Sequence, residues 1–368
     1  MEEVRLGVIG CGGMGRNHMR QFAEIPRLKF TAASDSFAAN LKLVTEEYGV
    51  QGFESGEELL DSGLVDAVLI ATPHYFHPQY SKAALERGIH ALTEKPVSVT
   101  AKAAAEVNAV AEAHPELRYA VMFQQRTQPR WKRVKQIIES GQLGNFQRML
   151  WVGTSWFRTQ AYYDSGSWRA TWEGEGGGVL LNQCPHDLDM LYWLLGSPTR
   201  VHAHVNLGKF HNIEVEDDVT AYWEYACGAS AVFIATTGEL PGSGHWEICG
   251  DRGKLSMSEG KIEFIELSTS SRTFIKESQS GFARPEQTRI LIDPKGEAGH
   301  KQMTANFINA ILDDEPLIAP AVQGLHSIEI ANAMIMSGIQ QTTVDIPMDR
   351  DAYDLFLKDL IEQSDVEL

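Results

Sequence analysis

Short apolar runs alternate with stretches of helical spacing along the first third of the chain. The runs cover residues 4–9, 30–34, 65–71, 90–92 and 119–123, and the helical stretches cover 16–25, 38–48, 57–60, 78–87 and 101–113. Uninterrupted apolar strands separated by helices of this length belong to a parallel sheet covered on both faces. The first part of the chain therefore predicts a doubly wound α/β domain, whose ligands sit beyond the carboxyl ends of its strands.

The period then changes. A helix is expected over 131–141 and a long alternating strand over 146–157. A meander follows at 201–209, 218–225, 230–237, 246–250, 254–257 and 261–267, with turns at Cys227-Gly228 and Ser258-Glu259-Gly260. Alternation of this kind predicts an antiparallel sheet packed on one face. Stretches 302–312 and 322–339 read as closing helices. The expected division is residues 1–124 for a nucleotide-binding domain and 125–368 for a substrate-binding and oligomerisation domain of α+β type.

Composition narrows the function without naming it. At 368 residues, 43% hydrophobic and 22% charged, the chain has material for two ordinary globular domains. A formal charge of −17 argues against nucleic acid and against an anionic membrane surface. No run of about eighteen apolar residues is present to span a bilayer. The first residues show neither a basic segment nor an apolar segment of a signal peptide, and the four scattered cysteines suit a reducing cytoplasm. Cytoplasmic location is the expectation.

Candidate chemistry gathers at the predicted strand ends. The first strand runs into Gly10-Cys11-Gly12-Gly13-Met14-Gly15, a G-x-G-x-x-G turn between strand and helix, where a dinucleotide diphosphate can approach backbone N–H groups. Asp35 lies twenty residues beyond Gly15 at the end of the second strand, where a carboxylate accepts hydrogen bonds from a ribose; the alternative role is a helix N-cap. Its neighbours Ser36 and Phe37 bring no arginine for a 2′-phosphate, so NAD is expected over NADP. The next strand is followed by Thr72, Pro73, His74 and His77. The two histidines are expected to line the cofactor pocket or cap a helix, and no metal is expected because no acidic or cysteine partner lies near them.

Lys95 stands between Glu94 and Pro96 at the end of another strand. Proline fixes its own φ and restricts the residue before it, so the lysine is aimed by its backbone. Gln124, Gln125 and Arg126 follow the last strand at the same edge. Arg126 reads equally as a site residue or a structural one. Residues 158–172, including Arg158, Tyr163, Trp168 and Arg169, are dense in aromatic rings and guanidinium groups. Such groups suit the C–H faces and hydroxyls of a sugar ring, while a single tryptophan there is more readily an interface plug. Gly176-Gly177-Gly178 opens a helical stretch in which Asn182, His186, Asp189 and Trp193 would share one face, unless Pro185 starts the helix anew or kinks it.

The glycine turn, Asp35, Thr72-Pro73 with His77, Glu94-Lys95-Pro96 and the Gly176–Gly178 run together resemble the Gfo/Idh/MocA family of sugar and cyclitol oxidoreductases. The resemblance implies an N-terminal Rossmann domain, a C-terminal open-faced and mostly antiparallel sheet, and a cis Lys95-Pro96 bond. It also implies that Lys95 and His186 are catalytic, with the glycine turn, Asp35, Ser36, the 72–77 segment, Glu94, Lys95 and Gln124 around NAD. Lys95, Arg126, the 158–169 loop, Asn182 and His186 would face the substrate. The family carries aspartate four residues before the histidine, and this chain has Asn182. The Asn-Gln-Cys-Pro-His version resembles a branch oxidising C3 of glucosides and anhydrosugars; inositol oxidation, a redox-neutral glycosidase and a non-catalytic NAD sensor are the alternatives. A homodimer or homotetramer is expected.

Overall fold

The computed structural model describes residues 2–364. They form two compact units: one runs up to Thr127 and adds Glu297–Ile328, the other comprises Gln128–Gly296 and the residues from Glu329 onward.

The first unit alternates β1 (Val4–Ile9), α1 (Gly13–Met19), β2 (Leu28–Ser34), α2 (Ala38–Tyr48), β3 (Gln51–Phe53), α3 (Gly56–Asp61), β4 (Ala67–Ile70), α4 (Phe76–Glu86), β5 (His90–Thr93), α5 (Ala101–Ala113) and β6 (Tyr119–Val121). The strands pair in parallel in the order β3-β2-β1-β4-β5-β6. The order reverses between β1 and β4, which is where a doubly wound sheet opens its ligand crevice. Burial explains why these strands read as continuous apolar runs: Leu6, Val8, Val68, Leu69, Ile70 and Leu92 are all inaccessible. Strand β3 escaped the sequence pattern because its three residues carry one large apolar side chain. Helix α1 stops at Met19, six residues short of its expected end, and a 3₁₀ turn at Phe22–Glu24 completes that stretch.

The second unit begins with α6 (Pro129–Glu139), β7 (Phe146–Gly153), α7 (Gln160–Tyr163), α8 (Val179–Asn182) and α9 (Pro185–Leu195). The meander follows as β8 (Arg200–Leu207), β9 (Glu216–Glu224), β10 (Ser230–Thr236), β11 (Gly244–Gly250), β12 (Gly253–Ser258) and β13 (Lys261–Leu267), then α10 (Ser271–Glu277) and β14 (Gln287–Ile292). Nine strands pair in the order β14-β13-β12-β11-β7-β10-β9-β8-β15, where β15 is Val344–Asp345. Every neighbouring pair is antiparallel except β7 with β10. Met149, Trp223, Phe233, Trp246, Leu255 and Phe264 fill one face, and Trp131 of α6 packs on both Trp151 and Trp246 at 6.0 and 5.2 Å. On the other face His202, His204, Thr220 and Tyr222 are exposed.

Three helices close the chain: α11 (His300–Asp313), α12 (Gly324–Gln340) and α13 (Arg350–Glu362). The sequence assigned everything after residue 124 to the second domain, but α11 belongs to the first unit. There it buries Met303, Phe307 and Ile308, and its end is held by Arg27 and Arg118 on Asp313 and Asp314. Nothing local in the sequence carries that information, because the partners lie about two to three hundred residues away. Of the alternatives open at Pro185, the structure takes the one in which a helix starts anew. Pro185 occupies the first turn of a new helix, where its missing N–H is harmless, so α8 and α9 are separate and the 182–186 register breaks.

Candidate active site

The glycine turn of the first unit is built for close approach. Gly10 has φ +100°, and a Cβ there would stand 2.6 Å from the Ala71 carbonyl oxygen; a Cβ on Gly15 would run into the Gly10 carbonyl. Gly12 and Gly13 have nothing within 4 Å of the same position, so the outer side of the turn is open. Met14 is exposed beside them. Asp35 is fixed against this turn: one carboxylate oxygen accepts the Cys11 N–H at 2.7 Å and the other accepts the Phe37 N–H at 2.7 Å. It is not the N-cap of α2, a position held by Phe37. Each oxygen retains accepting capacity for a ribose hydroxyl, and Ser36 is exposed next to it. The Thr72 hydroxyl is buried without a hydrogen-bond partner among the described residues. Gln124 opens a 3₁₀ turn just past β6, and His74 is buried after β4. An open turn, a held carboxylate and an orphaned hydroxyl at one sheet edge fit a dinucleotide.

Glu94 and Lys95 follow β5 at that edge. Among residues 91–99 only Lys95 is not buried. Glu94 turns one oxygen to His18 Nε2 at 2.7 Å and accepts the Lys95 backbone N–H on the other at 3.0 Å. Burial alone would push its pKa up, but the His18 hydrogen bond, with the charges of His18, Lys95 and His300, brings it down to about 2. The Lys95-Pro96 bond is cis. His77 sets Nδ1 2.6 Å from the Pro96 carbonyl and Nε2 2.7 Å from the Thr72 carbonyl, which leaves its ring committed to the backbone. Arg126 is 1% exposed and donates to Gln323 Oε1 at 2.6 Å, a setting that favours its structural reading.

In the second unit, α8 and α9 carry Asn182 and His186. Glu216, fully buried, accepts the N–H groups of Gly178 and Leu180 at 2.9 and 3.0 Å and so fixes the start of α8. Asn182 donates its amide to Glu175, a buried carboxylate that also accepts the Ala170 N–H at 2.7 Å. The Asn182 carbonyl oxygen receives the Tyr162 hydroxyl at 3.4 Å and the Gln183 amide at 3.0 Å. Arg169 reaches the Tyr162 hydroxyl at 3.1 Å and lies over the Tyr162 and Trp168 rings. Arg158 covers Tyr162 as well and donates to the Phe157 carbonyl. Thus Arg158, Arg169, Trp168 and Asn182 form one connected surface through Tyr162. Tyr163 faces inward instead: it is buried, its hydroxyl donates to Thr237 at 2.9 Å, and it packs on His211.

Sequence reading missed four acid or base groups, of which His18, Glu175 and Glu216 are buried and Asp187 is half-buried. His18 and Glu216 left no local signal. Glu175 directly precedes the glycine run, and Asp187 follows His186. Burial pushes the Asp187 pKa up to about 7, against a hydrogen bond from Trp156 Nε1 at 3.2 Å.

Residues 4–123 match the family described as "Oxidoreductase family, NAD-binding Rossmann fold", and residues 131–256 match the "GFO/IDH/MocA C-terminal domain". The chain belongs to the Gfo/Idh/MocA family of NAD-binding oxidoreductases. The rhizopine catabolism protein MocA of Rhizobium meliloti is 33% identical over 196 residues, 53% of this chain and 58% of that protein. Levoglucosan dehydrogenase of Pseudarthrobacter phenanthrenivorans is 24% identical over 390 residues, covering 94% and 99%. Among solved structures, the WlbA dehydrogenase from Bordetella pertussis in complex with NADH and UDP-GlcNAcA superposes with a TM-score of 0.79 at 25% identity, over 94% of this chain and all of that one. Membership in this family of oxidoreductases identifies the dinucleotide as NAD.

Proposed function

We propose that this Gfo/Idh/MocA oxidoreductase is an NAD-dependent dehydrogenase that oxidises a secondary ring hydroxyl, at C3, of a pyranoside or anhydrosugar. The observation that carries this reading is Lys95, the one accessible residue of an otherwise buried turn at the edge that bears the glycine turn. When bound, NAD supplies the acceptor for the hydride leaving the alcohol carbon. The neutral Lys95 amine takes the hydroxyl proton as the carbon–oxygen double bond forms. His186 of the second unit is the alternative base. Asn182, Arg158, Trp168 and Arg169 meet the sugar hydroxyls and ring faces. Relatives named for levoglucosan, and crystallised with a UDP-linked sugar acid, support a pyranose ring as the substrate class. The exposed face of the nine-stranded sheet serves as the contact of a homodimer or homotetramer, which light scattering would test.

The test is NADH formation by the purified protein with NAD against glucosides, 1,6-anhydrosugars, free aldoses and inositols. Turnover on glucosides or anhydrosugars supports the proposal. Turnover confined to inositols, or product without net NADH, overturns it.

A further inference from the structure

Two buried histidines from different helices hold the turn on either side of Lys95 in sequence. His18 of α1 is 1% exposed and binds the Glu94 carboxylate at 2.7 Å, while that carboxylate holds the Lys95 N–H at 3.0 Å. His77 of α4 is 1% exposed and meets the carbonyls of Pro96 and Thr72 at 2.6 and 2.7 Å. Carbonyl oxygens only accept, so a neutral His77 ring makes one of these bonds and a doubly protonated ring makes both. Neither ring is accessible to a substrate. Burying a polar ring is unfavourable unless its hydrogen bonds are made, and here His18 meets Glu94 and His77 meets Pro96, the two residues flanking one lysine.

We propose that His18 and His77 are positioning residues for proton transfer at Lys95, fixing the turn that aims the amine and occupying the Glu94 carboxylate so that it does not claim the lysine charge. The inference rests on Lys95 being the proton acceptor. The ionisable groups around the pair are Glu94 and Lys95 after β5, His18 on α1, and His300 at the start of α11, whose ring centroid lies 5.2 Å from that of His18. With His18 removed, the Glu94 carboxylate is left with Lys95 and His300 as its partners. A lysine beside an unshared carboxylate is held in its charged form, so less of it is the free amine that can accept a proton. Helix α1 also carries the glycine turn, so the same helix that borders the dinucleotide holds Glu94 in place.

The experiment compares the full-length parent with His18→Ala, His18→Gln, His77→Gln and Lys95→Met. It reads NADH binding by fluorescence, kcat against pH, and, without any dinucleotide, the pH midpoint of Lys95 labelling by acetic anhydride, resolved by mass spectrometry. A misplacement of about 1 Å lowers turnover by roughly 10²-fold, so His18→Ala and His77→Gln are expected to lose about that much kcat with NADH affinity kept within about 3-fold. The Lys95 labelling midpoint rises in His18→Ala by at least about half a pH unit and returns toward the parent in His18→Gln, whose amide still donates to Glu94. A merely structural role would lower thermal stability and NADH affinity together and leave the midpoint still. Parent-like kcat and midpoint in the histidine variants, with Lys95→Met inactive, overturn the inference alone. An active Lys95→Met overturns it together with the assignment of Lys95. Should His18→Ala fail to fold, the two glutamine variants decide.

Discussion

Replacing Glu216 by glutamine isolates one buried carboxyl whose effect has a definite sign. Burial pushes the Glu216 pKa from 4.5 to about 7, against the hydrogen bonds from Gly178 and Leu180. Below about pH 4.5 both folded and unfolded chains hold this proton, and the group contributes nothing to pH dependence. As pH rises toward 7 the unfolded chain releases the proton while the folded one keeps it, so stability falls; above 7 the loss is complete. A shift of 2.5 units corresponds to about 3 kcal/mol, of which roughly 2–3 kcal/mol falls between about pH 5 and about pH 8. Glutamine stays neutral and keeps an oxygen for the two N–H groups at the start of α8. Denaturant unfolding of parent and Glu216→Gln across that range should therefore show the variant gaining on the parent as pH rises. Asp187 slopes the same way as Glu216, and the histidines His77, His90 and His300, whose pKa values are lowered chiefly by desolvation, slope oppositely. All four are common to both proteins and cancel in the difference. Parallel stability curves would refute the reasoning, because they would mean Glu216 is ionised or solvated in the folded state at all these pH values.

Further outcomes follow from the same geometry. Lys95→Met should abolish NADH production on any substrate the parent turns over while leaving NADH fluorescence titration within about 3-fold, since a group acting by proton transfer contributes at least about 10²-fold to turnover. Asp35→Ala should weaken NAD binding by roughly tenfold or more in the same titration, because it removes the carboxylate proposed to accept from the ribose and frees the Cys11 and Phe37 N–H groups together. Gly15→Ala should both unfold more easily, by about 1–3 kcal/mol, and lose NAD binding, as its methyl group meets the Gly10 carbonyl. Calorimetry and equilibrium dialysis would check the two effects.

The first unit was the more legible in sequence because its strands are buried on both faces and its ligand chemistry sits on strand ends. Gly10, Asp35, Thr72 and Lys95 could be set at one edge from the alternation of runs and helices alone, and the strand order agrees. What could not be read were contacts made across long separations: His18 on Glu94, and α11 on the first unit. In the second unit the alternation located the meander, but the lightly buried edge strand β14 and the two-residue β15 left too weak a period. The aromatic and arginine loop was legible as a group and not by residue. Arg158, Trp168 and Arg169 gather around Tyr162, whereas Tyr163, one position on, turns inward to Thr237.

Asn182 shows how a departure from the family pattern can be read once its neighbours are known. The family aspartate at this position would place a carboxylate against Glu175, which is 2% exposed and already ties Ala170. Two buried carboxylates in hydrogen-bond contact cannot both ionise without a large penalty, so one must hold a proton. Asparagine avoids this, because its amide donates to Glu175 while its carbonyl accepts from Tyr162 and Gln183. The carboxylate is thus not absent from this region; it stands one hydrogen bond away, on Glu175. Asn182→Asp should then lower stability on raising pH from about 5 to about 8, by on the order of 1–3 kcal/mol relative to the parent, with Glu175→Gln in the same chain restoring it. If the aspartate variant has the parent's stability at both pH values, the Glu175 contact carries no weight. In that case Asn182 would have to be explained by the substrate alone.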